Sequence, residues 1–252
     1  MKKYIKKKVK KVLASFGITP YVYFTYKYNN PLEVKRRIFG NDKILIFDIG
    51  AYDGRSASKY LKEFPKGEIY SFEPTKKSFE KLKKSFGTNT NVKIFNTAFS
   101  DFKGETEFYV NNSGLTNSLL KLSNTKINNE VYNLKEESIE KVAVTTLDIF
   151  TKEMNIDKIN ILKIDVQGAE LSVLKGAQNL LKSKKIDVLF VEVEFLKLYA
   201  NQPLFHDISS FLYQNDYHLY SLYNLTYSKE GQMVYGDAIF LNSDIINKKF
   251  KK

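Results

Sequence analysis

The sequence predicts a doubly wound α/β fold with a mostly parallel sheet. Short runs of four to eight apolar residues alternate along the chain with amphipathic segments, the signature of strands covered on both faces and joined by helical crossovers. The first strand leads straight into a turn with two glycines, Gly50 and Gly54. The second strand ends on the pair Glu73-Pro74, a carboxylate followed by a residue suited to the first helical position.

Taken in order, the strands are expected at Ile44 to Asp48, Glu68 to Phe72, Val92 to Thr97, Ile161 to Asp165 and Val188 to Glu192, with weaker ones at His218 to Leu222 and Ala238 to Leu241. Helical periodicity fills Ser56 to Glu63, Thr75 to Phe86, Ala169 to Leu181 and Phe205 to Gln214. Glu105 to Val110 and Lys141 to Thr145 break the alternation as an additional strand pair. Asn111 to Asn129, rich in Asn, Ser and Thr, reads as a long loop of the kind that carries function. The domain plan is a basic, aromatic N-terminal arm at 1–40, one α/β domain at 41–245 and a basic tail at 246–252.

At 252 residues and 43% apolar composition, one sizeable core is the expectation. The absence of cysteine excludes disulfides, thiolate metal sites and a catalytic thiol, and fits the cytoplasm. The net charge of +12 is misleading until it is located. Eleven lysines lie in residues 1–11 and 248–252, and removing them leaves 29 basic against 28 acidic residues. A nucleic-acid-binding face would spread its charge over the body of the fold, so nucleic acid is demoted as a partner. Within the arm, Tyr4, Ile5, Val9, Val12, Leu13 and Phe16 recur at helical spacing among lysines, which suits peripheral contact with anionic lipid as well as a solvated arm. No oligomeric state follows from these features.

The turn Asp48-Ile49-Gly50-Ala51-Tyr52-Asp53-Gly54-Arg55-Ser56 lacks the G-x-G-x-x-G spacing of a pyrophosphate cradle. Asp48 suits instead an amine-bearing ligand such as the aminoacyl sulfonium of S-adenosylmethionine, with Gly50, Ala51, Gly54 and Ser56 as further contacts. Glu73 stands 23 residues after Gly50, near the spacing at which a carboxylate takes two vicinal ribose hydroxyls. Pro74 and, after the third strand, Ala98 and Ser100 border the same edge, where a purine would pack.

The segment Ile161-Leu162-Lys163-Ile164-Asp165-Val166-Gln167-Gly168-Ala169-Glu170, followed by Val173-Leu174-Lys175-Gly176-Ala177, resembles the FkbM family of methyltransferases. The resemblance runs from Ile44 to Leu241 and takes in Asp48-Ile49-Gly50-Ala51, Glu73-Pro74, Ser100-Asp101, Gly104 and Thr146-Leu147-Asp148. It implies a class I, Rossmann-like methyltransferase fold of seven strands with an antiparallel last strand. It also implies S-adenosylmethionine as donor, S-adenosylhomocysteine as product, and O-methylation of a sugar, glycan or related small molecule. The chain departs from the family at Tyr52, where Asn is often found, and at Gln167, where Glu is frequent. Alternatives are a methyltransferase of nucleic acid or protein, and a non-catalytic nucleoside-binding protein that keeps the fold.

For catalysis, a positioned base or a cation must assist a weakly nucleophilic hydroxyl. Asp165, at the end of the fourth strand, is the first candidate, as base or metal ligand and as a cofactor contact. Glu170, Glu194 and His206 are the other catalytic candidates. A divalent metal is drawn on Asp165, Glu192 and Glu194, with only one of Glu192 and Glu194 expected to face the pocket, on the alternation of strand neighbours.

Overall fold

The computed structural model describes residues 30–125 and 133–250. The lysine-rich amphipathic segment of residues 1–16 lies outside them, as do 126–129 of the long loop and the last two lysines of the tail. The described residues divide into two units between Gly40 and Asn41. In the first, helix α1 (Pro31–Phe39) opens on Asn30, whose side chain accepts the Leu32 N–H at 2.9 Å.

The second unit is built on seven strands: β1 (Leu45–Ile49), β2 (Glu68–Phe72), β3 (Val92–Phe95), β7 (Ile159–Ile164), β8 (Ile186–Glu194), β9 (Tyr217–Tyr227) and β10 (Met233–Asn242). Their order is β3-β2-β1-β7-β8-β10-β9, and β10 runs antiparallel to both of its neighbours while the pairings from β3 to β8 are parallel. The order reverses between β1 and β7, which opens the crevice where ligands bind in such sheets. This is the class I methyltransferase arrangement, antiparallel last strand included. A second sheet, β4-β6-β5, joins β4 (Ala98–Phe99), β5 (Gly104–Asn111) and β6 (Glu136–Thr145); β5 and β6 are the additional antiparallel pair.

The uniform apolarity of the central strands has its cause in two-sided burial. Ile46, Phe47, Ile161, Leu162, Val188 and Leu189 are all fully buried. Phe47, Phe72, Phe99 and Phe150 interlock beneath the carboxyl edge, with Phe72 and Phe99 edge-to-face at 4.8 Å. Much of the aromatic content is therefore core.

Helices α2 (Arg55–Glu63), α3 (Lys76–Phe86) and α7 (Phe205–Gln214) follow the periodic segments. Three features differ from expectation. The third strand stops at Phe95, because Asn96 Nδ2 donates to the carbonyls of Glu73 and Pro74 at 2.9 and 2.8 Å and hands the chain to the second sheet. The helix expected over Ala169 to Leu181 is two, α5 (Glu170–Lys175) and α6 (Gln178–Lys182), because Gly176 packs where a Cβ would lie 2.1 Å from the Ser100 carbonyl oxygen. Helices α4 (Leu147–Glu153) and α8 (Ser243–Lys249) are too short to show a period, and α8 crosses the expected domain end at 245. The long loop contains a 3-10 turn at Gly114–Thr116 and bridges Ser118 to Tyr109 and Leu122 to Tyr199.

Candidate active site

The turn after β1 is held from three sides. Gly50 and Ala51 donate to the Phe72 carbonyl at 3.1 and 3.0 Å, and the Tyr52 N–H donates to Glu73 Oε2 at 3.0 Å. Gly50 has φ +76°, and a Cβ there would stand 1.8 Å from the Asp165 carbonyl oxygen. Glycine is thus required by the approach of β1 to the end of β7. Tyr52 follows at φ 49°, a left-handed conformation that Asn adopts more readily than Tyr.

Glu73 is 6% exposed and walls the cleft beside this turn. Its Oε1 accepts the N–H and hydroxyl of Thr75 at 3.0 and 2.6 Å, bracing the entry to α3. Burial raises its pKa, against the lowering effect of these bonds. Ile49, Phe72, Pro74, Ala98, Phe99, Phe108, Leu115 and Leu119 supply apolar walls, and Gly50, Asn117, Asp165 and Gln167 continue the lining. A second hollow shares Gly50, Tyr52, Leu115 and Asp165 with the cleft and adds Ala51, Ser56, Lys59 and Lys163. Apolar walls for a flat base and a carboxylate whose Oε2 keeps acceptor capacity for a hydroxyl are features that a nucleoside site requires.

Asp165 stands where the two hollows meet. Its Oδ2 lies 3.3 Å from Lys163 Nζ, and its Oδ1 accepts from Gln167 Nε2 at 3.1 Å. Lys163 is 6% exposed and also pairs with Asp48, at 3.1 Å. Burial works against its ammonium, but Asp165 and Asp48 outweigh it and hold the pKa above the usual lysine value.

The model matching residues 48–219 is the methyltransferase FkbM domain. The chain belongs to that family. The domain is thus a methyltransferase domain of the FkbM type, the class for which the resemblance implies S-adenosylmethionine as methyl donor. A relative, 2-O-methyltransferase NoeI of Sinorhizobium fredii (strain NBRC 101917 / NGR234), is 26% identical over 165 residues, covering 63% of this chain and 66% of the relative, just under two thirds. Among solved structures, this FkbM chain is similar to magnesium protoporphyrin IX methyltransferase (ChlM) from Synechocystis PCC 6803 with bound SAM (TM-score 0.48, 10% identity, 84% and 76% of the two chains). It is also similar to M. capricolum TrmK in complex with S-adenosyl-homocysteine (TM-score 0.46, 12% identity, 84% and 67% covered).

Of the cofactor contacts expected for the FkbM chain, Gly50, Ala51, Ser56, Glu73, Pro74, Ala98 and Asp165 line the two hollows. Asp48, Gly54 and Ser100 do not. Asp48 is wholly buried beside Lys163, its register partner on β7. At Gly54, φ +83°, a Cβ would meet Phe86 Cε2 at 2.3 Å, so this glycine serves the packing of α3. Ser100 is fixed against Thr145 and Gly176. The motif Thr146-Leu147-Asp148 is a brace as well: Thr146 caps α4, and the Asp148 carboxylate accepts the N–H groups of Asn179 and Leu180 at 2.9 and 3.0 Å.

His206 is exposed at the start of α7, 3.5 Å from Asp207, and lines neither hollow. Glu170 is fully buried, and its Oε1 accepts the N–H groups of Val166 and Gly168 at 3.0 and 3.1 Å. Glu192 and Glu194 both join it, with one oxygen of each within 4.8 Å of the others. Expecting only one of these two to face inward was an error of period, since residues two apart on a strand share a face. Glu170, rather than Asp165, completes this trio.

Gln167, Lys163 and Tyr199 belong to the site without forming part of any ligand or catalytic pattern in the sequence. Gln167, at φ 58°, bonds Asp165 and Glu192, and Tyr199 donates to its Oε1 at 3.2 Å and to the Thr116 carbonyl at 2.8 Å. The signal available was one charged residue, Lys163, inside an otherwise apolar strand, which demands a buried partner.

Proposed function

We propose that this chain transfers the S-adenosylmethionine methyl group to a hydroxyl of a sugar, glycan or related small molecule. The observation that carries the reading is the position of Asp165, a carboxylate held between Lys163 and Gln167 at the junction of the two hollows. Glu73 takes the ribose hydroxyls, and Ala98, Phe99 and Leu119 flank the base. Ser56, Lys59 and the N-terminus of α2 receive the amino-acid end in the second hollow. When bound, the donor supplies an electrophilic methyl on a sulfonium. Asp165 Oδ accepts the proton of the acceptor hydroxyl as the oxygen attacks, while Lys163 and Gln167 fix its direction. An oxygen acceptor is supported by the relative named a 2-O-methyltransferase, and a small one by the charge-neutral body of the chain.

The test is incubation with methyl-labelled S-adenosylmethionine and a panel of saccharides, polyols, tRNA and protein, followed by mass spectrometry of the labelled product. Label on nucleic acid or protein alone would refute the reading. No helix among the described residues is long and apolar enough to cross a membrane. We infer a cytoplasmic enzyme, with a solvated N-terminal arm as the leading reading of residues 1–16 and peripheral contact with anionic lipid as its alternative. Binding to anionic vesicles should fall with salt and with removal of that segment.

A further inference from the structure

The trio Glu170, Glu192 and Glu194 has more negative charge than its surroundings answer. Glu170 and Glu194 are 0% and 2% exposed; Glu170 Oε2 is buried without a hydrogen-bond partner, and the group that faces the Glu194 carboxylate is the neutral side-chain amide of Gln202, which brings no charge. Glu170 Oε1 is committed to the backbone of the 166–168 loop, so Oε2 is the atom left over. The buried lysine of the site, Lys163, is engaged by Asp48 and Asp165. Gln167 donates its amide to Glu192 and Asp165, which orients Glu192 without adding charge. Charges buried in this way are retained when paired or when they coordinate a metal.

We propose that Glu170, Glu192 and Glu194 form a divalent-cation site beside the methyl-transfer cleft. Three carboxylates and no nitrogen or sulfur ligand select a hard ion of the Mg²⁺, Mn²⁺ or Ca²⁺ class. The spacing suits such an ion: oxygens on opposite sides of Ca²⁺ are about 4.6–5.2 Å apart and of Mg²⁺ about 4.0–4.2 Å, and the three oxygens here lie within 4.8 Å of one another. Glu192 is the partly exposed member and gives the ion its way in. Three protein ligands leave positions for water or for acceptor oxygens. Only that last role rests on the proposed function; cation binding does not.

The experiment is an electron paramagnetic resonance titration of full-length protein with Mn²⁺ at pH 8, with S-adenosylhomocysteine binding followed in parallel by calorimetry. One bound Mn²⁺, displaced by Ca²⁺ or Mg²⁺, is expected. Glu194→Gln should weaken it by about 10-fold or more, the scale on which metal sites respond to lost supporting groups, while S-adenosylhomocysteine binding persists. Should that variant not fold, Glu192→Gln takes its place. Wild-type protein that binds no Mn²⁺ at millimolar concentration overturns the site and leaves a proton-sharing cluster. An unchanged Mn²⁺ affinity in the folded variant overturns it equally. Loss of S-adenosylhomocysteine binding by the wild type would strike the proposed function instead.

Discussion

Lys163 Nζ lies 3.1 Å from Asp48 Oδ1, inside the sheet, where the two residues are register neighbours on β7 and β1. The same ammonium lies 3.3 Å from Asp165 Oδ2. A buried aspartate that looked like a ligand contact is therefore half of an ion pair, and its partner steadies the residue at the cleft.

Lys163→Met removes the cation and leaves Asp48 charged in a fully buried position. Breaking a buried pair in this way costs about 3–5 kcal/mol, and urea denaturation should show it. Adding Asp48→Asn to Lys163→Met should recover a large part of the loss. No recovery would mean that Lys163 stabilises the fold through contacts other than Asp48.

Glu73→Ala takes away the carboxylate assigned to the ribose. S-adenosylhomocysteine affinity should weaken by about 1–3 kcal/mol, the cost of stranding polar groups, as read by isothermal titration calorimetry. Because Glu73 also accepts from Tyr52 and Thr75, thermal denaturation of the same variant is needed. Wild-type affinity in a folded variant would remove the assignment.

Asp165→Asn keeps the size of the side chain and discards its charge. Turnover should fall by about 10²-fold or more, the usual scale for a positioned acid or base, with S-adenosylhomocysteine still bound. Single-turnover kinetics with labelled donor would check it, and near-normal turnover would transfer the base role elsewhere in the site.

Asp216, just before β9, ties that strand to the turn after α6 and to the start of α8. Its Oδ2 lies 2.6 Å from Lys184 Nζ and accepts the Ser243 hydroxyl at 2.6 Å. Lys184, then Ser243, hold its pKa down to about 2. A folded-state pKa below the unfolded value stabilises above the unfolded value, near 3.8, and that contribution disappears as pH falls toward 2. Because the side chain is half exposed, Asp216→Asn should cost less than about 1 kcal/mol at pH 6. The difference between the two melting curves should shrink through pH 4 to 2.

By itself the sequence determined the layered α/β class, the central strands and the turn after β1. Each of these depends on local pattern: strands covered on both faces must be apolar throughout, as Ile46, Phe47, Ile161 and Leu162 are, and a tight turn at positive φ needs glycine, as at Gly50. The family motif located Asp165 and Glu170 in the same way. Tertiary structure alone decided which polar residues meet. Asp48 and Ser100 were absorbed into packing, Gly54 into the seat of α3, and His206 was left on the surface, while Gln167 and Tyr199 were brought to Asp165. Glu170, Glu192 and Glu194 come from two different elements and become a cluster only when α5 packs beside β8. Such meetings depend on which strands pair and on how closely loops approach. That information is spread over residues more than a hundred positions apart, as between Asp48 and Lys163, and no local period carries it.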